Sequence, residues 1–193
     1  MKMLPDDAVD RIAEGCRQIG KLCQNNEIQQ WEIVATQSYG HSIDIEAGKI
    51  SLAAGGGEGG YGIRVVEDGR FGYAYLVDIG SADNAIQQAR DIAKVSPSVA
   101  GFLLPSEQKA DKVAGLLDKN ILSISPEDLL EQADAILSEV SSLDERAVVT
   151  GGGLGVGASA GAIYSSEGIE SSGVTTSHGI GVQVSIDADE DWK

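Results

Sequence analysis

The sequence predicts an α+β fold in which antiparallel β meanders pack with about three helices. Two observations lead to this class. First, segments with apolar residues at every third or fourth position are followed by segments in which apolar and polar residues alternate. Second, many of the 25 glycines lie in or between these alternating segments. The order is helix, strands, helix, loop, helix, strands. Runs of strands separated by single helices are typical of α+β folds rather than of parallel βαβ sheets.

Two lobes are expected from this order. Residues 1–100 supply a helix, four to five strands and a second helix, whereas residues 101–193 supply a loop, a helix and glycine-rich strands. The loop is predicted over residues 99–124, where scattered leucines suggest that it is tucked against the core. We expect both lobes to pack as one domain.

Each predicted helix has an apolar face and a recognisable start or end. The first helix ends at Asn25 and Asn26, and its face consists of Val9, Ile12, Ala13, Cys16, Ile19 and Cys23. Ser81 is the expected N-cap of the second, whose buried stripe is Ala85, Ile86, Ala89, Ile92 and Ala93. The third begins at Ser125-Pro126-Glu127-Asp128, and its face is Leu129, Leu130, Ala133, Ile136, Leu137 and Val140.

Short alternating segments predict the first run of strands, at 32–36, 42–46, 50–52, 61–66 and 71–75. Gly48 and Gly69 are predicted turn glycines, and Gly69 follows Asp68 in the two-residue signal of a tight hairpin. Gly62 and Gly72 flank that hairpin inside strands, where a missing side chain lets another backbone approach. The second run covers segments between 147 and 186, with a turn at Glu167-Gly168.

A glycine cluster over residues 55–60 is predicted to interrupt the strands as a bulge or a flexible loop. Gly55, Gly57 and Gly60 have the spacing of a dinucleotide-binding fingerprint. That chemistry requires a helix directly after the glycines, whose N-terminal amides hold the pyrophosphate, but a strand pattern follows here. The chain also lacks the glycine-lysine loop that binds nucleoside triphosphates. No nucleotide cofactor is predicted.

The charge balance argues against two classes of partner. Fourteen Lys and Arg residues against thirty Asp and Glu residues give a formal net charge of -16. Such a surface repels phosphate backbones and anionic lipid headgroups, so neither a nucleic acid nor a membrane is an expected partner. The apolar runs are far shorter than a membrane span, and the acidic N-terminus has no apolar signal core. We therefore expect a cytoplasmic protein whose partner is a protein or a peptide.

No catalytic residue and no metal ligand is predicted. His41 and His178 are the only histidines, and neither has a second ligand at helical spacing. Cys16 and Cys23 lie seven residues apart, which on a helix is too far for a disulfide, so both are read as packed thiols. No serine sits in a nucleophile elbow, although a Ser-His-Asp triad stays open because its members are neighbours only in space.

The acidic run at 187–191 lacks the central glycine of a calcium loop and is read as a solvated strand end. Trp192 and Lys193 follow directly, as expected if the chain were cut from a longer polypeptide.

Three segments in order resemble the TldD/PmbA family: 42–50, 60–74 and the helix around 89–93. Residues 125–191 are similar to the second segment of that family, so the resemblance covers essentially the whole chain. It implies a much longer, dimeric, intracellular protein described as a metalloprotease, and by an older label as a modulator of DNA gyrase. The family's metal site is a His-Glu-x-x-x-His helix with a downstream cysteine. This sequence contains no His-Glu pair, so no catalytic or metal residue is carried over.

Two interpretations remain open at this point. The first is a non-catalytic N-terminal part of a TldD/PmbA-type metallopeptidase, contributing to the substrate cleft or to dimer contacts with a family member in proteolysis or peptide maturation. It implies no cofactor in this chain, with zinc expected only in the catalytic member at full length. The second is a stand-alone acidic module that binds a basic protein partner.

Overall fold

The computed structural model describes residues 4–107 and 113–186. Within these ranges the chain forms three helices and five strands, in the order predicted from the sequence. The elements are α1 (Ala8–Asn25), β1 (Gln30–Glu46), β2 (Lys49–Glu67), β3 (Arg70–Leu76), α2 (Ala82–Val95), α3 (Pro126–Leu143), β4 (Ala147–Ser165) and β5 (Glu170–Ile186), with 3-10 turns at Ile79–Ser81 and Ile121–Ser123. The α+β class is confirmed.

One antiparallel sheet contains all five strands, in the spatial order β3-β2-β1-β4-β5. β1 lies at the centre and pairs along its length with β2 on one side and β4 on the other. Tyr39, for example, is opposite both Gly57 and Ala158. Because β1 and β4 come from opposite halves of the chain, the two predicted lobes share a single sheet.

The strands are longer than the sequence predicted. The segments expected at 32–36 and 42–46 are the two ends of β1, and the glycine cluster at 55–60 lies inside β2. The expected break there was wrong. None of these glycines has a positive φ, and they pair in register with residues 36–41. Because β1 pairs with β2 on one side and with β4 on the other, its backbone offers β2 a continuous row of hydrogen-bonding groups. The glycines of β2 therefore remain extended although they lack side chains.

All three helices cover the same face of the sheet. α1 packs on β1 and β4, α2 packs on β2 and β3, and α3 packs on β4 and β1. The core between helices and sheet contains one cluster whose largest fully buried members are Trp31, Ile19, Ile33, Ile43, Ile63, Ile86 and Leu129. No helix in the described ranges has the length and apolarity that crossing a membrane requires.

The two predicted helix caps differ in outcome. Ser125 Oγ accepts a hydrogen bond of 3.1 Å from the Asp128 amide, and Asp128 Oδ2 accepts one of 2.7 Å from the Ser125 amide. This capping box confirms the predicted start of α3. Ser81 makes no side-chain capping bond to α2. The preceding 3-10 turn is capped instead by Asp78, which accepts a hydrogen bond of 3.0 Å from the Gly80 amide.

Two packing predictions need correction. Ile92 was expected in the buried stripe of α2 but is 45 % exposed, because the side of α2 that faces the sheet is set by Ala85, Ala89 and Ala93. In the loop over 99–124, Leu104 is buried, but Leu103, Leu116 and Leu117 are exposed. Of the loop residues that the structure describes, only some therefore pack on the core. The acidic run at 187–191 lies outside the described residues.

Candidate functional site

β2 has an unpaired edge. β3 pairs only with residues 61–67 of β2, so residues 49–59 have β1 on one side and, within the described chain, no strand on the other. We call residues 49–59 the β2 edge. Between positions 53 and 59 its side chains are alanine or glycine, apart from Glu58. Such an edge offers backbone donors and acceptors with little side-chain obstruction as far as Gly59, whose carbonyl oxygen accepts a hydrogen bond of 3.0 Å from Tyr75 Oη.

The glycines of this edge accommodate aromatic rings from β1. A Cβ on Gly55 would lie 2.5 Å from His41 Nδ1, and one on Gly57 would lie 2.8 Å from Tyr39 Cδ2. The two rings are themselves in edge contact, with centroids 5.2 Å apart. Tyr39 and His41 thus lean over the β2 backbone. A Cβ on Gly56 would meet nothing within 4 Å, because that residue faces the other side of the sheet.

A cleft of about 1010 Å³ adjoins the β2 edge on the helix side, between α1, β1, β2 and the turn at Ile79–Ser81. Arg11 Nη2 crosses part of it and donates a hydrogen bond of 2.7 Å to Gln37 Oε1. Burial, with a smaller contribution from nearby Cys16, raises the pKa of Tyr61 in its wall. The remaining charged lining is acidic, from Glu14, Glu58 and Asp78. The cleft therefore suits a neutral or basic occupant.

The opposite face of the sheet carries a shallow trough of about 570 Å³ across the centres of four strands. The hydroxyls of Ser38 and Ser159, directly opposite each other on β1 and β4, share a hydrogen bond of 3.0 Å. The next row across the sheet contains Gly56, Gly40 and Gly157, so it exposes backbone. The residues that line this trough offer hydroxyls, peptide groups and the Glu58 carboxylate.

The predicted turn glycines lie in the left-handed backbone region, which favours glycine. Gly48 has φ +72° in the turn between β1 and β2, next to Ala47 with φ +48°. Gly69 has φ +70° and follows Asp68 with φ +52°. Positive φ at both central residues of a two-residue loop is the signature of a type I′ hairpin.

The two glycines expected at backbone contacts differ from each other. A Cβ on Gly72 would overlap the carbonyl oxygen of Ala89 in α2 and lie 2.7 Å from the Ala93 amide nitrogen. A Cβ on Gly62 would meet only the Val34 carbonyl oxygen, at 3.8 Å, which is an ordinary contact. A close backbone approach is therefore found at Gly72 and not at Gly62.

The described residues do not fit a zinc site of the kind the family resemblance implies. His41 and His178 lie on one row of the sheet, each opposite Val156 of the intervening β4. Two strand spacings separate their Cα atoms by about 10 Å, and Val156 stands between the two imidazoles on the same row. His178 Nε2 instead lies 3.2 Å from Gln132 Oε1. Across 4–107 and 113–186 no three His, Cys, Asp or Glu side chains group as ligands.

The two thiols are not activated nucleophiles. Cys16 and Cys23 are both buried on the inner face of α1. Burial raises the pKa of Cys16 to about 11 and that of Cys23 to about 12. A reactive cysteine requires the opposite shift, so the prediction of plain packing agrees with their surroundings.

Sequence reasoning missed the β2 edge and its cleft, since both depend on where β3 ends and on which strand neighbours β2. The pairing of Tyr39 and His41 with Gly57 and Gly55 was the available signal. This pairing can be recognised in the sequence only once the register of β1 against β2 is known.

Two comparisons at the sequence level find relatives. Residues 31–93 match the family model described as PmbA/TldA metallopeptidase domain 1. An uncharacterized protein of Methanocaldococcus jannaschii is 31 % identical over 123 residues, which cover 64 % of this chain and 28 % of that protein. The chain thus spans less than a third of the length of this curated relative.

Solved structures share the fold at low sequence identity. TldE from Thermococcus kodakarensis matches with a TM-score of 0.80 and 22 % identity, over 89 % of this chain and 40 % of that one. A protein of Bacteroides thetaiotaomicron, described as a candidate modulator of DNA gyrase, matches with a TM-score of 0.80 and 19 % identity, over 97 % of this chain and 43 % of that one. A protein of Thermotoga maritima, described as a candidate modulator of a DNA gyrase, matches with a TM-score of 0.74 and 13 % identity, over 90 % of this chain and 39 % of that one. The match over residues 31–93 thus identifies domain 1 of the PmbA/TldA metallopeptidases within this chain, and the solved structures share its fold.

Proposed function

We propose that this chain is the non-catalytic N-terminal part of a TldD/PmbA-type metallopeptidase acting in cytoplasmic proteolysis or peptide maturation. In this proposal the β2 edge forms one wall of the substrate cleft and holds an extended peptide by strand addition. The observation that carries it is the β2 edge, which no strand of the described chain covers, beside a cleft of about 1010 Å³. At full length the partner is a second family member, in a homo- or heterodimer.

Strand addition suits this edge for a physical reason. An added strand bonds through main-chain groups and therefore accepts many sequences, which a peptidase that trims varied peptides requires. Ala53, Ala54 and Gly56 keep the edge clear of bulky side chains. Glu58 and Asp78 at the adjoining cleft favour a peptide with neutral or basic side chains.

Hydrogen exchange tests the proposal. The probe is a neutral ten-residue peptide rich in Thr and Val, and the expected result is slower amide exchange confined to residues 49–59. The matched control is the same peptide with every second amide N-methylated, which keeps the side chains but removes alternate donors. Protection elsewhere, or equal protection by both peptides, contradicts strand addition at the β2 edge.

The catalytic metal belongs, in this proposal, to another part of the full-length enzyme. The chain by itself is expected to hydrolyse no peptide and to hold no stoichiometric zinc, since His41 and His178 stand on either side of Val156. Metal analysis of untagged protein checks this expectation. One tightly held zinc ion per chain would contradict it.

The net charge of -16 favours a second candidate, an acidic module that binds a basic protein. The salt dependence of peptide binding distinguishes this candidate from strand addition at the β2 edge. Binding of a lysine-rich peptide through the general field weakens steeply as salt is added, whereas main-chain pairing of a neutral peptide changes little. Binding of lysine-rich but not of neutral peptides would favour the acidic module.

A further inference from the structure

β5 presents an uncovered apolar row on the outer edge of the sheet. Ile180, Val182, Val184 and Ile186 are exposed by 56 %, 38 %, 44 % and 55 %. Their cross-strand neighbours on β4 include the core residues Leu154 and Val149, so the row faces the helix side of the sheet. Unlike isolated surface hydrophobes, these four residues form a continuous strip.

The helices leave this strip open. α3 packs on β4 and β1, and it reaches β5 near the start of the strip, where Gln132 Oε1 lies 3.2 Å from His178 Nε2. Leu143, at the far end of α3, is 77 % exposed. Within the described chain no strand pairs with the outer side of β5, although near its start the Thr176 amide donates a hydrogen bond of 2.9 Å to the Leu116 carbonyl oxygen. Over residues 180–186, apolar side chains and backbone groups without a described strand partner therefore lie along the same edge.

Up to Ile186, where the acidic run at 187–191 follows, this edge also lacks the charged residues that usually prevent pairing. Residues 171–186 contain no Asp, Glu, Lys or Arg, in a chain whose formal net charge is -16. Natural edge strands commonly carry charges or prolines that prevent pairing with another chain. Gly179 and Gly181 face the other side of the sheet with open space around them. An unprotected apolar edge in an otherwise acidic chain is suited to an interface.

The strip is self-complementary. Reading outward from Gln183, Val182 and Val184 come first and Ile180 and Ile186 follow, so the apolar pattern is the same in both directions. We propose that β5 pairs antiparallel with β5 of a second copy of this chain, about a two-fold axis at Gln183. Ile180 then lies opposite Ile186 of the other copy and Val182 opposite Val184, in an isologous interface within one ten-stranded sheet.

This inference rests on the proposed function only in that it locates the dimer contact, and it is independent of peptide binding at the β2 edge. Loss of dimerisation through β5 should leave peptide binding at the β2 edge intact, and the reverse, because β2 and β5 lie on opposite sides of β1 and β4. Hydrogen exchange with the probe peptide reports on the β2 edge. The oligomeric state reports on β5.

Sedimentation equilibrium of the 193-residue chain tests the pairing. Two bodies of net charge -16 repel each other while the paired residues 180–186 are uncharged, so added salt is expected to tighten the dimer, by about tenfold or more as the Debye length falls from about 30 Å to about 3 Å. Val182→Lys and Val184→Lys are expected to be monomeric. Val77→Lys, which adds the same charge at a 72 % exposed valine outside β5, is expected to remain dimeric.

Disulfide cross-linking tests the proposed register between the two β5 strands. Gln183→Cys should form a covalent dimer on mild oxidation, because the residue lies opposite itself, whereas the native thiols are buried. Thr175→Cys should not, because its two copies would lie about 50 Å apart along the paired strands. A monomer at every salt concentration, a dimer unaffected by Val182→Lys, or equal cross-linking at both positions overturns the proposal.

Discussion

Gly72 lies directly beneath the backbone of α2 at Ala89. A Cβ on Gly72 would overlap the Ala89 carbonyl oxygen and lie 2.7 Å from the Ala93 amide nitrogen. No side chain separates helix from strand here, which lets the small residues Ala85, Ala89 and Ala93 seat α2 closely on β3. The position requires glycine for packing, since its φ is not in the left-handed region.

Gly72→Ala is expected to destabilise the fold by about 3 kcal/mol, because helix backbone must move to admit the methyl group. Gly62→Ala is the matched control, with only the Val34 carbonyl oxygen at 3.8 Å from the new Cβ. It should leave stability unchanged or raise it by up to about 1 kcal/mol. Denaturant unfolding measures both variants. Equal effects would show that α2 does not sit on β3 as described.

Gly69→Val is expected to cost about 1 kcal/mol or more, because φ +70° is unfavourable for a branched residue and the Cβ would lie 3.0 Å from Ser98 Oγ and the Val99 carbonyl oxygen. Gly56→Val is the control from the glycine cluster, since its Cβ meets nothing within 4 Å. Its free energy of unfolding should change by less than about 0.5 kcal/mol. Greater damage at Gly56 would mean that the strand through the cluster is misplaced.

Ser125→Ala should lower the free energy of unfolding by about 1 kcal/mol, because the Asp128 amide loses its capping partner. Ser81→Ala removes the other serine at a helix start, but that hydroxyl makes no capping bond, so its effect should be close to zero. Thermal or urea unfolding of the pair measures the difference. A cost at Ser81 equal to that at Ser125 would contradict the assigned caps.

The free energy of unfolding should fall at alkaline pH. Burial raises the pKa of Cys16 to about 11 and of Cys23 to about 12, against an ordinary value of 9.0. Between these values the unfolded chain has lost protons that the folded chain keeps, so stability is full below about pH 9 and declines as pH rises towards 11–12. Urea unfolding across this range should show a shallower decline for the double variant Cys16→Ala/Cys23→Ala. An unchanged slope would exclude the thiols as its source.

The sequence predicted local elements well because their signals are local. Helical spacing around Cys16 and the Ser125-Asp128 capping box lie within a few residues of the structure they specify. The run of glycines at 55–60 was ambiguous, because glycine weakens a strand yet remains extended when a long neighbour such as β1 pairs with it. The pairing of β1 with β4 joins residues more than a hundred positions apart, and no local pattern encodes it. The β2 edge depends on where β3 ends and on the pairing of β1 with all of β2, and the local patterns encode neither of these.

Duplex DNA is expected to bind negligibly to this chain at physiological salt, although two of the structurally similar proteins are described as candidate gyrase modulators. Non-specific binding depends on cations that neutralise phosphates and release counterions. The net charge here is -16, and several of the cations already pair with carboxylates: Arg17, Arg64, Arg90, Lys94 and Arg146. Fluorescence anisotropy of a labelled duplex over a salt series measures the affinity, with a basic protein of similar size as the positive control. Micromolar binding that weakens steeply with added salt would reveal a basic surface that this charge distribution does not predict.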